Sequence, residues 1–187
     1  MNLAMTIFLL SAIVACAADP PMRVRDASKV ETASRVIVLG WDYELKNRDP
    51  IKLKTSFGQP EQIKQLLSSF ADAPTQVGGL PLFAGHLCHL VFLGEKDEPL
   101  AYVYVNTLGA FCELRSVKQD EDGKMVPDYN SEATYFYAPK LGKLLVKQLN
   151  DHDPEYYAAL EKSVTANLGM TLENALFGND KANKAQK

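Results

Sequence analysis

The stretch GHLCHLVFLGEKDEPLAYVYVNTLGAFCELRSV, Gly85 to Val117, decides the fold. Its apolar, β-branched and aromatic runs are broken twice: at Gly94 to Pro99, whose tip carries Glu95, Lys96, Asp97 and Glu98, and at Thr107 to Ala110, where Gly109 accepts a positive φ. It therefore reads as an antiparallel meander over His86–Leu93, Leu100–Asn106 and Phe111–Val117. Leu87, Val91 and Leu93 point one way and Cys88, Leu90 and Phe92 the other. A strand apolar on both faces is covered on both, so the 100–106 strand is expected mid-sheet.

Two of the three cysteines lie in this stretch. Pairing Cys88 with Val105 and Val105 with Cys112 places both thiols in one row on one face. Two strand spacings separate them by about 9.6 Å, whereas a disulfide needs Cα atoms within about 7 Å. Either Cys88 and Cys112 are buried thiols, or the third strand leaves the sheet and the pair staples it. His86-Leu87-Cys88-His89 also admits a metal or Cys/His reading. On an unbroken strand His86 and Cys88 share a face and His89 points away, so a site needs Cys112 or a distant carboxylate to reach three ligands. His86, Cys88 and Cys112 are thus weak metal candidates, and a histidine hydrogen-bonded within a strand is the simpler account.

Working outward, Val36 to Phe57 reads as a hairpin turned by Lys46 to Pro50. Pairing Leu45 with Ile51 sets Glu44 against Lys52, Asp42 against Lys54 and Tyr43 against Leu53, and each charge pair contributes about 0.2–1 kcal/mol. Trp41 is assigned to packing. Pro60 and Glu61 open a helix whose stripe is Ile63, Leu66, Leu67 and Phe70. Thr75 to Gly85 is expected as an irregular loop, a possible binding edge, and its Val77-Gly78-Gly79-Leu80 lacks the Lys-Ser/Thr of a phosphate loop. Asp120-Glu121-Asp122-Gly123 is an acidic turn rather than a calcium loop, because the loop's first and last ligand positions fall on Lys118 and Tyr129. Met125 to Tyr129 suits only an edge strand, and Thr134 to Tyr137 is a short strand candidate. Leu141, Leu144, Leu145 and Leu149 mark a helix after Pro139; Asp153-Pro154-Glu155 caps the next, and Thr171 a last turn.

The fold class is therefore α+β: one domain over 35–178, a mainly antiparallel sheet of about five strands (hairpin 36–57, meander 86–117), and helices near 60–71, 139–150 and 154–168. Residues 179–187 lack apolar periodicity and are expected as a disordered tail, and 19–34 as a flexible tether.

Residues 1–18 read as a signal peptide. Leu3 to Ala18 is uncharged and apolar, ends in small residues, and is short for a membrane span of about 20 residues. Cleavage falls before Cys16 or after Ala17. Ile13-Val14-Ala15-Cys16 resembles the lipobox of bacterial lipoproteins, which implies lipidation of Cys16 and a periplasm-facing, lipid-anchored envelope protein; the alternatives are simple secretion and an uncleaved anchor. Met1 to Thr6 contains no Lys or Arg, a departure from the usual basic n-region.

A net charge of −3, with scattered Lys and Arg, offers no field for nucleic acid. No nucleophile elbow, P-loop or H-E-x-x-H motif is present, so no residue is assigned a catalytic role and no cofactor is implied. Seven of the eight tyrosines follow residue 100. Tyr102, Tyr104, Tyr135 and Tyr137 are expected either to line a binding surface, since tyrosine is enriched at interfaces, or to pack under the C-terminal helices. The leading functional expectation is a non-catalytic envelope protein that binds a protein or small ligand. The alternatives are a small periplasmic hydrolase or metal-binding protein using His86, Cys88 and Cys112, and an inhibitor or immunity-type protein.

Overall fold

Beginning at Arg35, Val36 and Val38 point toward one layer and Ile37 and Leu39 toward another, the period-two signature of a strand covered on both faces. The computed structural model describes residues 22–41, 50–76, 85–107 and 111–176. In chain order these form α1 (Val24–Ala27), a 3-10 turn (Val30–Thr32), β1 (Arg35–Trp41), β2 (Pro50–Phe57), α2 (Pro60–Ser68), β3 (Thr75–Gln76), β4 (His86–Leu93), β5 (Pro99–Asn106), β6 (Phe111–Arg115), β7 (Val117–Gln119), β8 (Met125–Pro127), β9 (Thr134–Tyr137), α3 (Pro139–His152) and α4 (Pro154–Leu168). A last helical turn occupies 172–176, its Asn174 amide capped by Thr171 Oγ1 at 3.2 Å. The class is α+β.

The main sheet has seven strands rather than about five, in the order β2-β1-β4-β5-β6-β9-β3, all neighbours antiparallel. The hairpin docks beside the meander, Arg35–Leu39 against Leu93–His89, and β9 and β3 extend the other side. β5 lies at the centre, as its two apolar faces require. The third meander strand keeps its place through Arg115 and then departs: β7 pairs with β8 in a separate two-stranded ribbon. Gly123 turns that ribbon at φ 76°, its amide bonding Asp120 O at 3.0 Å.

All the long helices cover one face. Ile63 and Leu66 of α2, Leu141, Leu145 and Leu149 of α3, and Tyr156, Leu160 and Val164 of α4 pack on Val36, Val38, Leu90, Phe92, Val103 and Leu114. Phe70, just past α2, stacks on Phe136 and meets Phe92 edge-on, each at 5.7 Å between centroids. On the opposite face the β7–β8 ribbon sets Val117 and Met125 against Val91, Leu93 and Tyr102. No described helix is long and apolar enough to cross a membrane.

Three expectations change. Residues 22–34 are not a tether: Val24 and Val30 are fully buried against the domain, apolar plugs too isolated in a polar stretch to show a period. The hairpin register is shifted, with Val36 opposite Phe57, Leu39 opposite Leu53 and Trp41 opposite Pro50. β1 is held on its other side by β4, and burying Phe57 beside Val36 outweighs the small gain from cross-strand charge pairs. Asp42 to Leu45, and the positions expected to form the loop over 77–84, the signal and lipobox over 1–18 and the tail over 179–187, lie outside the described residues. Finally, α2 ends at Ser68 and α3 runs on to His152.

Candidate functional site

Two β-bulges decide which side chains meet. In β4, His86 pairs with Asn106 and Cys88 with Val105, leaving Leu87 as an extra residue. A bulge breaks the alternation. Leu87 and Cys88 therefore both enter the helix-side core, and His86 turns to the opposite face beside His89. The expectation that His86 and Cys88 share a face, with His89 away, is overturned. The Leu87 carbonyl, displaced from the ladder, accepts a hydrogen bond from Tyr156 Oη at 2.8 Å. In β2 a second irregularity, opposite Val38 and Leu39, leaves Lys54 out of the ladder; its side chain reaches the helix layer and Asp153.

The face opposite the helices then carries a continuous polar and aromatic set. One row runs Leu39, His89, Tyr104, Glu113, Tyr135, Gln76 across five strand pairings. The next holds Ile37, Val91, Tyr102 and Arg115. His86 meets the Tyr104 ring edge-on at 4.4 Å, and His89 lies 5.3 Å from Tyr102 and 5.4 Å from Tyr104. At the sheet end Phe111 packs on Tyr137 at 5.0 Å. Glu113 and Arg115 form an ion pair, and Arg115 also donates to the Ser131 carbonyl at 2.8 Å and lies over the Tyr129 ring at 5.4 Å. Those contacts hold the 128–133 connection against the sheet.

The tyrosines are thus not capped by the C-terminal helices, which occupy the other face. Tyr102 is buried under the β7–β8 ribbon; Tyr104, Tyr135 and Tyr137 are half-buried, and Tyr129 is 74% exposed. Of the Thr75 to Gly85 segment, Thr75 and Gln76 are strand, forming one edge of the sheet.

Electrostatics make this a neutral surface with an internal ion pair. Burial, and secondarily the charge of His86, pulls His89 down to about 3, so it is neutral at physiological pH. Burial raises the Tyr102 and Tyr104 hydroxyls well above the usual range, with Tyr129 adding to the first and Glu113 to the second. Such groups donate and accept hydrogen bonds and stack, but they are not poised as nucleophiles or general bases. Cys88 and Cys112 are fully buried and not joined by a disulfide, in one row with Val105 between them. Burial pushes both upward, away from the thiolate.

His86, Cys88 and Cys112 accordingly do not converge: the histidine faces one layer and the thiols the other. Among the described residues no group of three His, Cys, Asp or Glu side chains is placed to hold a metal ion. Glu113 and Arg115 are not among the candidates read from the sequence, although the alternation of Cys112 and Leu114 with Glu113 and Arg115 carries the signal. Compared with known proteins, the chain matches no family model, no curated protein and no solved structure.

Proposed function

We propose that this is an exported envelope protein, lipid-anchored at Cys16, whose domain binds a protein partner through the sheet face bearing Tyr104, Glu113, Tyr135 and Tyr137, and which performs no covalent chemistry itself. Export and anchoring rest on the uncharged Leu3 to Ala18 run and the lipobox-like Ile13-Val14-Ala15-Cys16.

One observation carries the binding reading: partly exposed tyrosines stand in register on the face that the long helices leave to a short ribbon. Tyrosine provides large, rigid contact area at low entropic cost, and a paired Glu113–Arg115 at its centre adds orientation without an unpaired buried charge. A face of this kind suits a flat protein surface.

The test is site-specific photocrosslinking in intact envelopes, with the probe at Tyr135 and, as control, at Lys147 on the exposed side of α3. A discrete adduct from Tyr135, lost when Tyr104→Ala and Tyr137→Ala are combined, is expected. Identical adducts from both positions, or none from Tyr135, would refute the assignment. Fatty-acid labelling that survives Cys16→Ser would refute the anchor.

A further inference from the structure

The docking of residues 22–34 bears on how the domain sits at a membrane. Thr75 donates to the Met22 carbonyl at 2.8 Å, Arg23 and Pro74 form a β-bridge, and the amides of Val24 and Arg25 bond the carbonyls of Ala73 and Ala71, each at 3.1 Å. Arg23 Nη1 adds a bond to the Asp72 carbonyl at 2.8 Å. Val24 and Val30 are buried without exposure. The chain is thus fastened to the domain from Met22 onward, beside the β3 edge of the sheet.

Only Ala17 to Pro21 separate Met22 from Cys16. Whatever conformation those residues take, the six residue steps from Cys16 to Met22 reach at most about 22 Å at ~3.3–3.6 Å each. An expected free tether over 19–34 would have allowed roughly three times that distance. A domain of this size is about 35–40 Å across, so an acylated Cys16 holds one particular side close to the lipid. Met22 is itself 55% exposed, one of the large apolar side chains left uncovered among the described residues.

Resting on the lipid-anchor reading above, we infer that the edge of the domain formed by Met22, Arg23, Asp72, Pro74 and β3 lies against the lipid headgroups, with the Met22 side chain at the interface. The opposite edge, β2, stands six strand spacings away, about 29 Å across the sheet. The row carrying Tyr104, Glu113 and Tyr135 ends at Gln76 on the lipid-side edge, which brings the partner-binding face to the membrane surface.

The experiment uses the full, acylated protein in phosphatidylethanolamine–phosphatidylglycerol vesicles containing a headgroup nitroxide lipid. A small fluorophore is attached at Gln76→Cys or at Ser56→Cys, both exposed, on β3 and β2 respectively. Quenching at least threefold stronger at Gln76 is expected, and inserting a twenty-residue Gly-Ser linker between Asp19 and Pro20 should abolish the difference. Met22→Ser should weaken the Gln76 quenching while leaving acylation intact. Equal quenching at both positions in protein whose Cys16 acylation is verified by mass overturns the orientation and leaves the anchor standing. Absence of acylation overturns the anchor, and the orientation with it.

Discussion

Lys54 Nζ lies 2.9 Å from Asp153 Oδ2, joining an edge strand to the junction of α3 and α4. The pair is largely enclosed, its side chains 11% and 28% exposed, and the ammonium also sits 4.3 Å above the Tyr156 ring. Asp153 does two things at once, because its Oδ1 caps α4 by accepting from the Tyr156 amide at 2.9 Å.

Those two roles separate by mutation. Asp153→Asn keeps a good capping side chain and loses the charge, costing about 2 kcal/mol, less than a fully buried pair because Asp153 retains solvent contact. Asp153→Ala loses both and costs about 1 kcal/mol more. Gly40 lies beneath this pair, where a Cβ would come within 2.9 Å of Tyr156 Cε2, so Gly40→Ala costs about 1–3 kcal/mol. Urea unfolding of the three variants checks the order; Asn and Ala variants of equal stability would mean the cap contributes nothing.

His89 makes stability pH-dependent. Its folded pKa of about 3 lies below the ordinary 6.5, so the unfolded chain takes up the proton first. The contribution is complete above pH 6.5 and is lost as pH falls from there toward 3, at up to about 1.4 kcal/mol per unit. His89→Leu removes that component. The stability difference between wild type and variant should therefore change steadily between pH 7 and 4 in chemical denaturation, and a constant difference would show that His89 is not neutral in the fold.

Cys88 and Cys112 should be inert in the folded state. A thiol reagent should label neither in buffer and both in urea, and the intact mass should be the same with and without reductant. Cys88→Ser should cost more than Cys88→Ala, since a hydroxyl is harder to bury than a methyl group. Rapid labelling without denaturant would place the thiols elsewhere than between the sheet and the helices.

The Tyr102 hydroxyl is buried and makes no hydrogen bond among the described residues. Removing a polar group whose desolvation is uncompensated stabilises, so Tyr102→Phe should gain about 1 kcal/mol while the ring packing on Val91 and Leu93 persists. A lowered melting temperature would imply a bound partner for that oxygen.

Much of the scaffold is visible in one dimension because it follows local periods. The meander spacing predicts the 88–105–112 row, the stripe at Ile63, Leu66 and Phe70 predicts α2, and Asp153-Pro154 predicts the start of α4. The candidate site was only partly visible. Tyr104, Tyr135 and Tyr137 stand out by residue type, but their distance from the helices, and the company of His89, Glu113 and Arg115, depend on register.

What the sequence determined by itself is the α+β class, the meander, the three long helices and a central β5, since each follows from side-chain periodicity and turn chemistry acting over a few residues. What only the tertiary structure decided is the face each candidate side chain occupies and the attachment of residues 22–34. One inserted residue, Leu87, reverses the facing of His86, because alternation has a period of two. Val24 and Val30 fasten residues 22–34 by filling distant apolar space.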